Sequence, residues 1–99
     1  MAKKVTWTVR ALNDRKKILK YWINRNKSDR YSIQLDNLIR ESVLLICSFP
    51  DIGKPTNYNA IRIKIIKDYF IFNEKLEEEI IILTIWDSRR DPGKLKIKK

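Results

Sequence analysis

The segment from Ile80 to Trp86, IIILTIW, constrains the fold most strongly, because it is apolar at odd and even positions alike. Successive side chains of a β-strand point to opposite faces of the sheet, so a strand of this kind is covered on both faces and lies inside a sheet. Pro92 and Gly93 follow closely and end regular structure. The sequence therefore predicts a sheet with this segment at its centre.

Three other segments are predicted to supply the remaining strands. Apolar and polar residues alternate from Val5 to Val9, as in a half-buried strand. The same alternation recurs from Ile61 to Ile66, and Lys67-Asp68 is predicted to turn the chain into a strand from Tyr69 to Asn73. The acidic cluster Glu77-Glu78-Glu79 is predicted to form the next turn. On the Ile61–Ile66 strand, the alternation is expected to place the cations on the wetter face of the sheet, away from the helices.

Two amphipathic helices are predicted between the first strand and the hairpin. The first begins with Asn13 or Asp14 as its N-cap, because a short side-chain oxygen can accept from the free amides of the first turn. The second runs from about Asp29 to Ser48 and ends at Pro50. Its predicted core-facing stripe comprises Tyr31, Leu35, Leu38, Ile39, Ser42, Leu45, Ile46 and Phe49. A short link between the helices implies an antiparallel pair. We expect an α+β domain of order β-α-α-β-β-β, with the helix hairpin on one face of a small antiparallel sheet.

Length and composition limit the classes of function. Ninety-nine residues suit a single domain, here residues 1–99, of which 93–99 are expected to form a flexible basic tail. The single Cys47 lies among apolar residues and indicates a core position in a reducing compartment, so we expect a cytoplasmic protein. No apolar run reaches the roughly 20 residues of a membrane span. With no histidine and one cysteine, no metal site or other cofactor is expected, and His-dependent nucleophile systems are excluded.

The charge points to an anionic partner. Twenty-two Lys and Arg residues against 12 Asp and Glu give a formal charge of +10, which favours nucleic acid or an acidic protein. Arg89 and Arg90 directly follow the predicted central strand, and a guanidinium held by a rigid strand can grip two phosphate oxygens. The predicted binding surface comprises Arg62, Lys64, Lys67, Arg89, Arg90 and Lys94. The alternative is that the two arginines form salt bridges to Asp87, Asp91 or Glu74.

Three stretches in this order resemble the RelE/ParE toxin superfamily of bacterial type II toxin-antitoxin systems. They are FPDIGKPT (Phe49–Thr56), IRIKIIKDYFIFNEK (Ile61–Lys75) and IILTIWDSRRDP (Ile81–Pro92). The resemblance covers nearly the whole chain. It implies the β-α-α-β-β-β fold, a toxic activity that inhibits growth, a role in plasmid stabilisation, and a cognate antitoxin.

The resemblance leaves two activities open. RelE-like members cut messenger RNA on the ribosome without a metal, and Arg62, Lys64 and Arg89 match cations of that branch. However, Phe70 stands where those nucleases carry an arginine, and no tyrosine or histidine lies near the C-terminus. Lys64 with Asp87 would be an unusual acid-base pair. These departures and the Arg-Arg-Asp ending favour a ParE-like inhibitor of DNA gyrase. The alternatives are a RelE-like endoribonuclease and an inactive or repurposed basic nucleic-acid-binding domain.

The partners expected from the resemblance are an antitoxin and either gyrase or the ribosome with its messenger. Antitoxins of such systems are usually acidic toward the toxin and wrap around it with a segment that folds on binding. The antitoxin is expected to cover Arg62, Lys64 and the Arg89-Arg90 region. No membrane partner is expected.

Overall fold

The computed structural model of the protein describes residues 3–58 and 60–90. These residues form β1 (Lys4–Trp7), α1 (Val9–Asn26), α2 (Arg30–Ser48), β2 (Lys54–Pro55), β3 (Ile61–Ile66), β4 (Tyr69–Lys75) and β5 (Glu79–Asp87). The sheet has the order β1-β5-β4-β3-β2. The predicted α+β fold is confirmed, and β5, the apolar segment, has a strand on each side. Residues 93–99 of the predicted tail lie outside the described residues.

The sheet differs from the expectation in direction and in strand number. β1 runs parallel to β5, with Lys4 opposite Glu79 and Trp7 opposite Ile82, whereas the other pairings are antiparallel. The sheet is therefore mixed. Alternation of apolar residues identifies the faces of a strand but not its direction relative to a neighbour. β2 pairs with β3 over only two positions, which is too short to produce an alternation signal.

The first helix begins earlier than predicted, at Val9, and Thr8 is its N-cap. The hydroxyl of Thr8 accepts a hydrogen bond from the backbone N–H of Ala11 at 3.0 Å and lies 2.9 Å from the carbonyl oxygen of Ile82, to which it can donate. The prediction of an Asn13 or Asp14 cap was wrong, because apolar Val9 extended the apparent strand alternation into the first turn of the helix. The second helix, with Asp29 as N-cap residue, lies where the sequence placed it.

Apolar residues cover both faces of the sheet. The helix side holds the larger cluster, which includes Leu35, Ile39, Val43, Ile46, Cys47, Ile66, Tyr69, Ile71, Ile80, Ile82 and Ile85. The other side holds Ile61, Phe72, Leu83 and Trp86, with Ile63, Phe70 and Ile81 against them. The alternation of β3 therefore turns its isoleucines 61 and 63 away from the helices. Arg62 and Lys64 share the helix-facing side with Ile66, and the prediction that they lie on the opposite face was wrong.

The predicted stripe of α2 is only partly buried. Its central members are in the core, but Leu45 is 45% exposed and Phe49 is 59% exposed. Phe49 was predicted to be a core residue, and this prediction was wrong: it is the C-cap of α2, where the chain turns away from the sheet. None of the helices in the described part of the chain is long and apolar enough to cross a membrane.

Candidate functional site

A cleft of about 370 Å³ lies between α1 and the end of β5. It brings together three of the residues singled out from the sequence, Asp87, Arg89 and Arg90, with side chains of α1 and β4. Its lining comprises Asp14, Lys17, Ile18, Tyr21, Tyr69, Ile85, Asp87, Arg89 and Arg90.

Backbone hydrogen bonds fix the direction in which the chain leaves β5. The N–H of Ser88 donates to the carbonyl oxygen of Asp68 at 2.8 Å, which attaches the exit to the turn between β3 and β4. The N–H of Arg90 then donates to the carbonyl oxygen of Asp87 at 3.0 Å, closing a tight turn. Both arginines therefore start from backbone that is held by two neighbouring elements.

Arg89 forms a two-pronged ion pair with Asp87. Its Nε donates to Oδ1 at 3.1 Å and its terminal Nη2 donates to Oδ2 at 3.0 Å, while the backbone N–H of Arg89 also donates to Oδ1 at 2.9 Å. These contacts hold the pKa of Asp87 below its ordinary value of 3.8 and raise the pKa of the guanidinium. The Arg89 side chain is 57% exposed, so its remaining N–H groups face solvent. The salt-bridge alternative is thus correct for Arg89.

Arg90 is held differently, by the indole of Trp86. Its guanidinium carbon lies 4.4 Å from the centre of the Trp86 ring, a cation–π contact. Trp86 itself is buried, and its Nε1 has no hydrogen-bond partner among the described residues. Asp91, one of the acidic partners considered for Arg90, lies outside the described residues.

Tyr69 forms part of the inner wall of the cleft. Its hydroxyl oxygen accepts a hydrogen bond from Nε1 of Trp22 at 2.8 Å, which joins β4 to α1. Burial is the largest influence on this phenol and raises its pKa above the ordinary 10.0, so Tyr69 is protonated at neutral pH. Trp22 also packs edge-on against Tyr21 and Tyr31, with ring centres 5.1 and 4.8 Å apart. The aromatic group thus fixes α1 relative to the sheet beside the arginines.

Arg62 is not part of this cleft. It lies opposite Asn73, whereas Asp87 lies opposite Tyr69, four residues away along β4, or about 13 Å at 3.3 Å per residue. One terminal nitrogen of Arg62 donates to the carbonyl oxygens of Gly53 at 2.7 Å and of Asp51 at 3.2 Å. Arg62 therefore ties down the loop before β2, and the structure does not gather the predicted basic residues into one surface.

The lysines of the β3 region also lie apart from the arginines. Lys64 is opposite Ile71, and Lys67 occupies the β3–β4 turn with a left-handed φ of 50°. Lys64 and Asp87 are on strands separated by β4, about 10 Å across the sheet, so the structure does not bring this proposed acid-base pair together. Lys94 lies outside the described residues.

The comparisons with known proteins decide the family. The family described as "ParE toxin of type II toxin-antitoxin system, parDE" matches residues 5–92. The chain belongs to the ParE toxin family. Among solved structures, a chain from a chromosomal ParDE toxin-antitoxin system of P. aeruginosa superimposes with a TM-score of 0.75 at 18% identity, over 87% of this chain and 96% of that one. No curated protein sequence matches. The RelE/ParE resemblance seen in the sequence is confirmed.

In this ParE-family toxin, the cleft can bind an anionic group more readily than it can transfer a proton. Lys17, Arg89 and Arg90 bring three positive charges to its lining, against two carboxylates. Asp87, with its lowered pKa and bound guanidinium, is a weak base, and the phenol of Tyr69 stays protonated. The described residues contain no histidine, and none of their His, Cys, Asp and Glu side chains form a group of three or more that could hold a metal ion.

Sequence reasoning missed several residues of this site. Tyr31 was assigned to the core only, and Tyr69 was read as the start of a hairpin strand. Trp22 and Tyr69 are 47 positions apart, and no periodicity links a helix to a strand over that distance. The usable signal was chemical: the polar N–H of an indole in an apolar helix stripe needs an acceptor, and Tyr69 supplies it.

Proposed function

We propose that this ParE-family toxin poisons DNA gyrase and that a cognate antitoxin neutralises it in the cytoplasm. The observation that carries the proposal is the Asp87–Arg89 ion pair, which engages both carboxylate oxygens of Asp87 and holds its pKa below the ordinary 3.8, so the carboxylate beside the arginines is a weak base. Cleavage of RNA needs a proton acceptor for the 2′-hydroxyl and cations around the phosphate. Electrostatic binding to the DNA of a protein–DNA complex uses fixed positive charge and needs no proton acceptor.

The position of Phe70 also supports a gyrase target over messenger RNA. RelE-like nucleases carry an arginine at the corresponding place on the second hairpin strand. Here Phe70 packs against the apolar cluster on the sheet face away from the helices, 6.5 Å from the ring centre of Phe72. An apolar ring in that cluster cannot stabilise the charge of a reacting phosphate.

An antitoxin that covers both Arg62 and Arg89 must be extended. Arg62 lies at one end of the β3–β4 hairpin and Arg89 beyond the other. An acidic segment running between the two ends would neutralise both and hide the cleft from its target. This charge arrangement supports a wrapping antitoxin rather than a compact one.

The test combines purified gyrase, supercoiled DNA and the toxin. Linear DNA released by detergent and protease should accumulate with the wild-type chain, and Arg89→Ala should reduce it about tenfold, which corresponds to about 1.4 kcal/mol of target binding. Lys16→Ala is the matched control, because Lys16 is an exposed cation of α1 outside the cleft lining. Cleavage of ribosome-bound messenger in a translating extract, with no linear DNA, would instead establish the RelE-like activity and refute the proposal.

A further inference from the structure

The cleft between α1 and the end of β5 changes in polarity along its length. Asp14, Lys17 and Tyr21 of α1 recur at spacings of three and four residues, so they lie on one face of the helix. Asp14 and Tyr21 are about 10 Å apart along the helix axis at 1.5 Å per residue. The carboxylate therefore lies at one end of the cleft and the aromatic ring at the other, with the ammonium group between them.

Both carboxylates of the cleft are already engaged. Oδ2 of Asp14 accepts two hydrogen bonds from β5. The two carboxylate oxygens of Asp87 accept from Arg89, which neutralises their charge. An anion in the cleft is therefore favoured at the end that holds Tyr21 and Arg89, away from the carboxylate of Asp14.

The hydroxyl of Tyr69 is a buried donor in the wall of the cleft. Tyr69 is 4% exposed, and its oxygen accepts a hydrogen bond from Nε1 of Trp22. Burial raises the pKa of the phenol, so the hydroxyl keeps its proton at neutral pH. Within residues 3–58 and 60–90, this proton has no acceptor. Buried polar groups are normally paired, so the hydroxyl is available to a ligand that brings an acceptor.

Two cations accompany this donor. Arg89 lies near enough to Tyr69 for its charge to act on the phenol, and the N–H groups that its ion pair leaves over face solvent. Lys17 is exposed on the α1 side of the same cleft. A guanidinium, an ammonium and a phenol are all donors at neutral pH. A phosphate group, with several charged oxygens close together, can accept from all three.

An exposed aromatic ring stands beside these donors. Tyr21 is 49% exposed, although its ring meets that of Trp22 edge-on at 5.1 Å. Ile18 and Ile85 continue the apolar lining. An unpaired base stacks on such a ring, whereas the base faces of a duplex are already stacked on their neighbours. An acidic peptide would satisfy the cations but carries no planar group for the ring.

We propose that the cleft binds one unpaired nucleotide of a DNA strand. Its phosphate accepts from Arg89, Lys17 and the hydroxyl of Tyr69, and its base stacks on Tyr21. The cleft volume of about 370 Å³ is near the lower end of the roughly 300–1,000 Å³ of small-ligand sites, which suits one nucleotide and not a duplex. The inference rests on the proposed function for the assignment of this strand to the DNA held by gyrase.

A dinucleotide tests the cleft directly. The probe is a 5′-phosphorylated deoxyadenosine dinucleotide, titrated into the full ¹⁵N-labelled chain. Saturable shifts should occur at the amide of Tyr21 and at the indole N–H of Trp22, which binds Tyr69. An abasic analogue with the same phosphates and an acetylated, amidated triglutamate peptide carry similar charge without a base. Each should bind at least about tenfold more weakly.

Two pairs of variants separate base stacking from phosphate binding. Tyr21→Leu should weaken dinucleotide binding about tenfold, and Tyr21→Phe, which keeps the ring, should restore most of it. Tyr58→Leu is the matched control, because Tyr58 is 54% exposed and lies outside the cleft lining. Lys17→Gln should lower the slope of log affinity against log salt by about 0.7, the value for one phosphate contact on a single strand. Lys16→Gln, outside the lining, should leave the slope unchanged.

Equal binding of the dinucleotide, the abasic analogue and the peptide would overturn the inference, as would shifts that spare Tyr21 and Trp22. Binding of the ribonucleotide version at least about tenfold more tightly would assign the site to RNA and overturn the assignment to DNA. Gyrase poisoning by a chain that does not bind the dinucleotide refutes only this inference. Dinucleotide binding that depends on Tyr21, without gyrase poisoning, refutes only the target proposal.

Discussion

Asp14 of α1 and Thr84 of β5, 70 residues apart, share a hydrogen bond between the Thr84 hydroxyl and Oδ2 of Asp14. The same oxygen accepts the backbone N–H of Ile85 at 3.3 Å. β1 pairs with β5 only as far as Ile82. Beyond that residue, a helix side chain takes the place of a strand and satisfies the edge of β5 that forms the floor of the cleft.

We therefore expect Asp14→Ala to reduce the free energy of unfolding by about 1–3 kcal/mol, because it leaves a buried N–H and a buried hydroxyl without their acceptor. Urea denaturation measures the loss, and amide exchange at Ile85 should become faster. Asp14→Asn keeps an oxygen in place and should lose less. Equal stability of the alanine variant and the wild type would show that the contact contributes nothing.

The buried phenol of Tyr69 leads to a prediction of how the free energy of unfolding depends on pH. The pKa of its phenol is raised above 10.0 in the folded chain, mainly by burial. A group with a raised folded pKa contributes stability that is complete below its unfolded pKa and is lost as pH rises through the folded pKa. The free energy of unfolding should therefore fall above about pH 10, and Tyr69→Phe should remove this part of the fall.

The same variant has a separate cost at neutral pH. Without the phenol oxygen, Nε1 of Trp22 loses its acceptor, and we expect a loss of about 1–2 kcal/mol at pH 7. Chemical denaturation at pH 7 and pH 10.5 separates the two effects. Tyr58→Phe is a suitable control, because Tyr58 is 54% exposed. Parallel curves for wild type and Tyr69→Phe across this range would contradict the assignment.

The helices and most of the strands could be predicted from the sequence, but the way in which they pack against one another could be predicted only in part. The apolar pattern of Ile80–Trp86 correctly predicted a central strand, because burial on both faces leaves no other position. The alternation of β3 also correctly predicted a strand, yet its cations were assigned to the wrong face. Alternation separates Arg62 from Ile61 but does not say which set meets the helices, since both faces of this sheet are apolar.

Only one part of the candidate site could be predicted from the sequence, namely the segment where the chain leaves β5. Asp87, Arg89 and Arg90 are close in sequence, and their contacts are local. Tyr69 and Lys17 reach the same cleft through the packing of α1 on the sheet. Such tertiary contacts depend on helix position, which apolar periodicity does not specify.

The Asp87–Arg89 ion pair leads to a prediction for the titration of the Asp87 carboxyl group. A lowered folded pKa means that Asp87 contributes stability above its ordinary pKa of 3.8, and that this contribution is lost as pH falls through the folded value. NMR titration of the carboxyl carbon should place the pKa below 3.8, and Arg89→Met should raise it toward or above that value. Arg90→Met should change it less, because Arg90 contacts Trp86. An unchanged pKa in Arg89→Met would show that the pair is not formed in solution.

The backbone of Gly53 lies so close to β3 that a larger residue at this position should destabilise the protein. A Cβ at this position would lie 2.9 Å from the carbonyl oxygen of Ile63 and 3.1 Å from Cβ of Arg62, and neither atom is the end of a flexible side chain. Gly53→Ala must therefore push the loop from β3 and weaken the hydrogen bond from Arg62 to the Gly53 carbonyl. We expect a loss of about 1–3 kcal/mol in unfolding free energy. Lys54→Ala, next in the chain and exposed, should change stability by less than about 0.5 kcal/mol. If both variants unfold at the same urea concentration as the wild type, the loop has room to move and Arg62 does not restrain it.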